Sequence, residues 1–129
     1  MTAPESVLQV QLSRPTTTCV LIHVRGELDT AGAGHLHEQL ANRLSSTAET
    51  LVLDLSQLSF IGVPGLELLS HTRQQAEHRG TELRLVTGPR CLTRALIAAG
   101  MTETFACYPT LKHALAGLNG RTRSFAAAG

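Results

Sequence analysis

The residues best suited to chemistry in this 129-residue chain are its six histidines, its three cysteines and a Gly/Pro turn near the middle, and spacing decides what each can do. A zinc-type site needs several His, Cys or carboxylate ligands converging on one point. His35 and His37 stand two apart in a helical stretch and so face different ways. His71 and His78 stand seven apart and share a helix face, with no Cys or carboxylate pair converging on them. No metal site and no cofactor is expected. His23, inside a strand, reads as a packed or hydrogen-bonded histidine. Cys19, Cys91 and Cys107 have no C-x-x-C spacing and leave one over when any two pair. They read as buried, inert thiols. A redox pair of Cys91 and Cys107 is the alternative, and it requires Cα atoms within about 7 Å.

A covalent nucleophile needs Ser, Cys or Thr on a sharp strand-to-helix turn, beside a base. The turn in that place, Ile61-Gly-Val-Pro-Gly-Leu66, carries Val63 and Pro64 instead. No G-x-G-x-x-G or G-x-x-x-x-G-K-[ST] pattern exists to cradle phosphate. The chain reads as a binding module rather than an enzyme.

Composition narrows the partners. A net charge of +1 with 16% charged residues gives no basic stripe for nucleic acid and no patch for an anionic membrane. Arg84, Arg90 and Arg94, separated by apolar positions, read as solvated edges. Hydrophobic content of 43% with 3% aromatic and no Trp predicts an aliphatic core in a single domain. No apolar run approaches the roughly 18 residues needed to span a bilayer, and residues 1–14 lack the regions of a secretory signal. A cytoplasmic protein with no direct membrane insertion is the expectation.

The elements that position these residues follow from periodicity. Residues 5–13 alternate as a half-exposed strand, and Arg14-Pro-Thr-Thr17 reads as a turn. Residues 18–25 are more continuously apolar, as in a strand covered on both faces, and end at Gly26-Glu-Leu-Asp-Thr30. Asp29 or Thr30 can cap a helix whose buried stripe is Leu36, Leu40 and Leu44. The strand from Leu51 through Leu53 and Leu55 runs by way of Leu58, Phe60 and Ile61 straight into the Gly/Pro turn. An amphipathic helix starting at Pro64 and stopped by Gly80 follows. Such a helix start, at the carboxyl end of a strand, is a natural binding surface. Residues 82–87 form another strand. A helix from Gly88-Pro89 to Gly100 uses Leu92, Ala95, Leu96 and Ala99 as its apolar face. Residues 104–108 form a short edge strand, and a last helix uses Leu111, Ala114, Leu115 and Leu118. The expected fold class is α/β, a mixed and mostly parallel sheet of about five strands with about four helices, its first strand an antiparallel edge. Residues 1–119 form the domain and 120–129 a disordered tail.

This order, with Gly26-Glu-Leu-Asp29 after the second strand and Leu55-Ser-Gln-Leu-Ser-Phe-Ile-Gly-Val-Pro-Gly-Leu66 at the centre, resembles the STAS domain family over about residues 6–118. The resemblance is to the anti-sigma factor antagonists of that family. It implies docking on an anti-sigma factor, commonly also a serine kinase, with control by phosphorylation of a serine just before Gly-Leu. In this sequence the family's acidic residue falls on Gly62, its first serine on Val63 and its phosphorylatable serine on Pro64, which has no hydroxyl. The implied docking surface is Gly62, Val63, Pro64, Gly65 and Leu66, flanked by Asp29 and Thr30. Two other readings need no phosphoserine: a STAS subunit of a lipid-transport membrane complex, and a domain binding a small ligand at the same helix start. Substitute inputs would be phosphorylation of Ser59, Ser70 or Thr72, or the Cys91 and Cys107 pair.

Overall fold

The computed structural model describes residues 8–44, 48–88, 90–101 and 103–116, with the side chains of residues 42–44, 90 and 91 outside the description. In chain order the elements are β1 (Leu8–Thr16), β2 (Cys19–Leu28), α1 (Thr30–Leu44), β3 (Thr50–Ile61), α2 (Val63–Arg79), β4 (Glu82–Val86), α3 (Arg90–Ala98) and β5 (Ala106–Tyr108). A fourth helix is described over residues 111–116. The sheet has five strands in the order β1-β2-β3-β4-β5. β1 runs antiparallel to β2, and every other neighbouring pair is parallel. This is the expected mixed sheet, and it matches the strand-then-alternation pattern of the sequence.

Two apolar layers hold the sheet. On one face Leu36 and Leu40 of α1, Leu69 of α2 and Leu92 and Leu96 of α3 pack with Ile22, Leu53, Leu55 and Leu85 of the strands. Each fully buried leucine contributes about 1.5–3 kcal/mol. On the other face the helix over residues 111–116 brings Ala114, Leu111 and Leu115 against Cys19, Leu21, Val52 and Val86. Thr110 caps it, its Oγ1 accepting the His113 N–H at 3.2 Å. Leu118, Gly120 and the expected tail lie outside the described residues.

Several boundaries move, each for a local reason. Arg14, Pro15 and Thr16 belong to β1 rather than to a turn. A proline is tolerated there because β1 is an edge strand and its register is irregular between Ser13 and Thr16. β2 runs on past Gly26 to Leu28, because Gly26 takes a φ of 111° and the register with β3 shifts between Gly26 and Glu27. The Ser59 hydroxyl donates to the Gly26 carbonyl at 3.1 Å and fixes this irregular stretch. β5 is shorter than expected, with Phe105 buried just ahead of it. Ala99 is exposed, so the apolar face of α3 rests on Leu92 and Leu96 with Ala95 partly buried beside them.

Arg84 is the largest correction. It is 8% exposed, not a solvated edge. Its Nε donates to Glu82 Oε2 at 3.0 Å, its Nη1 to the Ala114 carbonyl at 2.7 Å, and its guanidinium lies 5.5 Å from the centre of the Tyr108 ring. The position falls on the sheet face that the helix over residues 111–116 covers, so the side chain is roofed and finds its partners there. Arg94 is exposed as expected. Among the described residues, no helix is long and apolar enough to cross a membrane.

Candidate functional site at the start of α2

The parallel strands β2 and β3 end side by side, Leu28 opposite Ile61. Ile61 is buried and Gly62 follows in an extended conformation, which makes it the N-cap of α2. The Gly62 N–H donates to the Leu28 carbonyl at 3.1 Å, tying the turn to the end of β2. The Gly65 and Leu66 N–H groups donate back to the Gly62 carbonyl at 3.0 and 3.1 Å. Pro64 has no N–H to offer. Among the described residues the Val63 N–H has no backbone acceptor, and with Pro64 offering no N–H the helix start presents few donors to an anion.

Packing sets the height of the turn. A Cβ at Gly65 would lie 2.9 Å from Ile61 Cγ1 and closer still to Leu28, so only glycine lets α2 press this deeply on the sheet. What the turn then shows to solvent is apolar. Val63 is 64% exposed and Phe60 48% exposed. The Phe60 ring lies beside Gly62, its Cε2 3.3 Å from where a Cβ would stand. Leu66 is half-buried and lines, with Val63, Ala99 and Met101, a groove of about 480 Å³ between α2 and the end of α3 that Glu67, Ser70, Arg73 and Thr104 also border.

Asp29 adjoins this turn through Leu28. Its Oδ1 accepts the Gly32 N–H at 2.9 Å and its carbonyl accepts the Ala33 N–H at 2.7 Å, so it caps α1. Thr30 is exposed as the first residue of that helix. The structure thus brings Asp29, Thr30, Gly62, Val63, Pro64, Gly65 and Leu66 to one end of the sheet. Sequence reasoning missed Phe60, which strand alternation put into the apolar approach to the turn. The signal was Gly26, opposite which β3 carries one extra residue, Ser59, that shifts its last residues out of register.

The other candidates are scattered. Ser59 is exposed but engaged with Gly26, Ser70 lines the groove, and Thr72 is buried with its hydroxyl donating to the Leu68 carbonyl at 2.8 Å. Cys19 is buried as expected, but Cys107 is exposed, since it lies on the edge strand β5; both are free thiols. Burial pushes the Cys19 thiol above its ordinary value, partly countered by the charge of Arg84, and partial desolvation of its sulfur pushes Cys107 the same way. The Cys91 side chain lies outside the described residues. His23 is hydrogen-bonded, as expected, its Nδ1 2.9 Å from Asp54 Oδ2. His37 and His71 meet across α1 and α2 with ring centres 5.8 Å apart, a pairing between helices that sequence spacing does not reveal. Among the described residues, no three or more His, Cys, Asp or Glu side chains gather to hold a metal ion.

Relatives share this architecture. The chain is 32% identical over 101 residues to the anti-sigma-F factor antagonist RsfA of Mycobacterium tuberculosis, covering 76% of this chain and 78% of that protein. A crystal structure of an anti-sigma factor antagonist from Mycobacterium paratuberculosis superimposes with a TM-score of 0.76 at 26% identity, over 92% of this chain and 99% of that one. The anti-sigma factor antagonist SpoIIAA in its unphosphorylated form has the same fold, with a TM-score of 0.74 at 18% identity over 87% of this chain and 97% of that one. Residues 11–114, from within β1 into the helix over residues 111–116, match the family model of the STAS domain, and the chain belongs to that family.

Proposed function

We propose that this chain is an anti-sigma factor antagonist: it docks on an anti-sigma factor through the start of α2 and thereby frees a sigma factor for transcription. The observation that carries this reading is the rigid, outward apolar corner of Phe60, Val63 and Pro64, with Val63 64% exposed. A docking surface of this kind gains from being held in place beforehand, because little conformational freedom is lost on binding. Similarity to RsfA, named an anti-sigma-F factor antagonist, supports the same class of partner. The surface extends to Asp29 and Thr30 across the ends of β2 and β3.

Pro64 gives the proposal its regulatory content. It stands in the position of the family's phosphorylatable serine, so a kinase partner has no hydroxyl there to modify. A phosphate would bring about −1.5 to −2 charges into the docked surface and break it. Without that input, the complex is insensitive to the usual switch.

The test is binding of the purified chain to an anti-sigma factor encoded in the same genome. Wild type binds, Val63→Asp does not, and Phe60→Ala binds about tenfold or more weakly, as expected of an aromatic at the centre of an interface. Incubation with a kinase-type partner and ATP leaves residue 64 unmodified and the complex intact. Equal binding by wild type and Val63→Asp, with both folded, sinks the reading. Recovery of a transporter ATPase or permease in place of an anti-sigma factor moves the domain to the membrane-complex class.

A further inference from the structure

The sheet face that carries Cys19, Leu21, Val52 and Val86 under the last described helix turns polar toward the other end of β2. Its residues there stand in two cross-strand rows. Gln11 of β1 faces His23 of β2, which faces Asp54 of β3; Gln9 faces Arg25, which faces Gln57. The β2–β3 register shifts between His23 and Arg25, and bulges of this kind re-aim side chains beside binding sites. Gln9, Gln11, His23, Arg25 and Gln57 line a shallow cavity of about 220 Å³.

Beneath the cavity Asp54 is 6% exposed. A carboxylate buried this far needs its oxygens bonded. Asp54 Oδ1 accepts both the backbone N–H of Ser56 at 3.1 Å and its hydroxyl at 2.6 Å, and Oδ2 meets His23 Nδ1 at 2.9 Å. A carboxylate only accepts, so the hydrogen of that bond sits on Nδ1. This leaves Nε2 as the ring nitrogen free for a ligand and fixes the ring's orientation. Arg25 pairs with no carboxylate among the described residues. The charged groups along this register are Asp54 of β3 beside His23, and Arg25 and then Glu27 further along β2, while Gln9 and Gln11 of β1 carry none.

We propose that this face is a second, small-molecule site that takes a compact oxyanion, the phosphoryl or carboxylate group of a metabolite. The guanidinium of Arg25 and the Nε2 of His23 grip it, amide donors of the glutamines complete the shell, and His23 takes up a proton as the anion enters. Charge-assisted bonds from a planar guanidinium suit either group. The site lies on β1, β2 and β3, beside the row in which Glu27 stands opposite Phe60.

The experiment is a titration of the isotope-labelled chain with inorganic phosphate and, separately, with malonate. The readouts are the His23 ring and the side-chain amides of Gln9, Gln11 and Gln57. The expected result is a saturable shift confined to these groups with at least one anion. Preference between the two anions tells a phosphoryl from a carboxylate source. Arg25→Gln, at an exposed position, weakens binding about tenfold or more while the rest of the spectrum stays in place. His23→Gln, which cannot take up a proton, weakens binding as well. Absence of saturable shifts with both anions, undiminished binding by Arg25→Gln, or shifts centred on Val63 and Gly65 instead would each overturn the proposal.

Discussion

Gly65 and Leu28 approach so closely that a Cβ on Gly65 would stand 2.8 Å from both the Cγ and the carbonyl oxygen of Leu28. The carbonyl is backbone and already accepts the Gly62 N–H, so it has nowhere to yield. Gly65→Ala is expected to lift the start of α2 and destabilise the fold by about 1–3 kcal/mol. Urea unfolding reads this as a lower midpoint at constant slope. Gly34→Ala is the control: it sits inside α1 with nothing within 4 Å of the added carbon, and it should stabilise by about 0.5–1 kcal/mol.

Asp29 has two roles that one pair of variants separates. Asp29→Ala leaves the Gly32 N–H without its acceptor and should cost about 0.5–2 kcal/mol. Asp29→Ser keeps an acceptor and should retain most of the stability. If Asp29→Ser is as stable as wild type yet binds the partner more weakly, the carboxylate contributes to docking as well as to capping.

Arg84→Met removes the donor to the Ala114 carbonyl while keeping an apolar stem of similar length. An orphaned buried carbonyl costs about 1–3 kcal/mol. The loss should be local first, with amide exchange of residues 111–116 accelerating more than that of Leu53 or Leu85 on the other side of the sheet. Equal acceleration everywhere would place the effect on global stability instead.

Cys19 predicts an alkaline limit. Its folded thiol titrates above the ordinary value of 9.0, because burial outweighs the opposing charge of Arg84. Above that value the unfolded thiol has lost its proton while the folded one keeps it, so the native state binds more protons and stability falls as pH rises. Below the ordinary value the contribution is fully present. Urea midpoints measured across this range should decline for wild type, and less steeply for Cys19→Ala.

The order of elements was legible because each carries an intact local signal. Leu36 and Leu40 mark one helix face, Gly80 takes a φ of 72° at the end of α2, and Asp29 caps where its side chain predicts. What stayed hidden depends on pairing between distant segments. Arg84 looks like a surface residue until a helix thirty positions away roofs it. Phe60 looks like core until the shift opposite Gly26 turns it out. His37 and His71 meet only because α1 and α2 lie alongside each other. The site was legible as a turn and a helix start with Val63 standing out from it, but Phe60 beside it was not, since a bulge breaks the alternation that sequence reading relies on.

Pro15 has a consequence beyond local geometry. β1 is one border of the sheet, and beside Arg14 it presents a residue with no N–H where the register is already irregular. The opposite border, β5, is three residues long. The β5 border is too short for a second copy of the chain to zip onto, and on the β1 border the run from Leu8 to Ser13 is cut off at Pro15. Strand-to-strand growth along β1 is therefore limited to that short run, and a substitution of Pro15 would lengthen it.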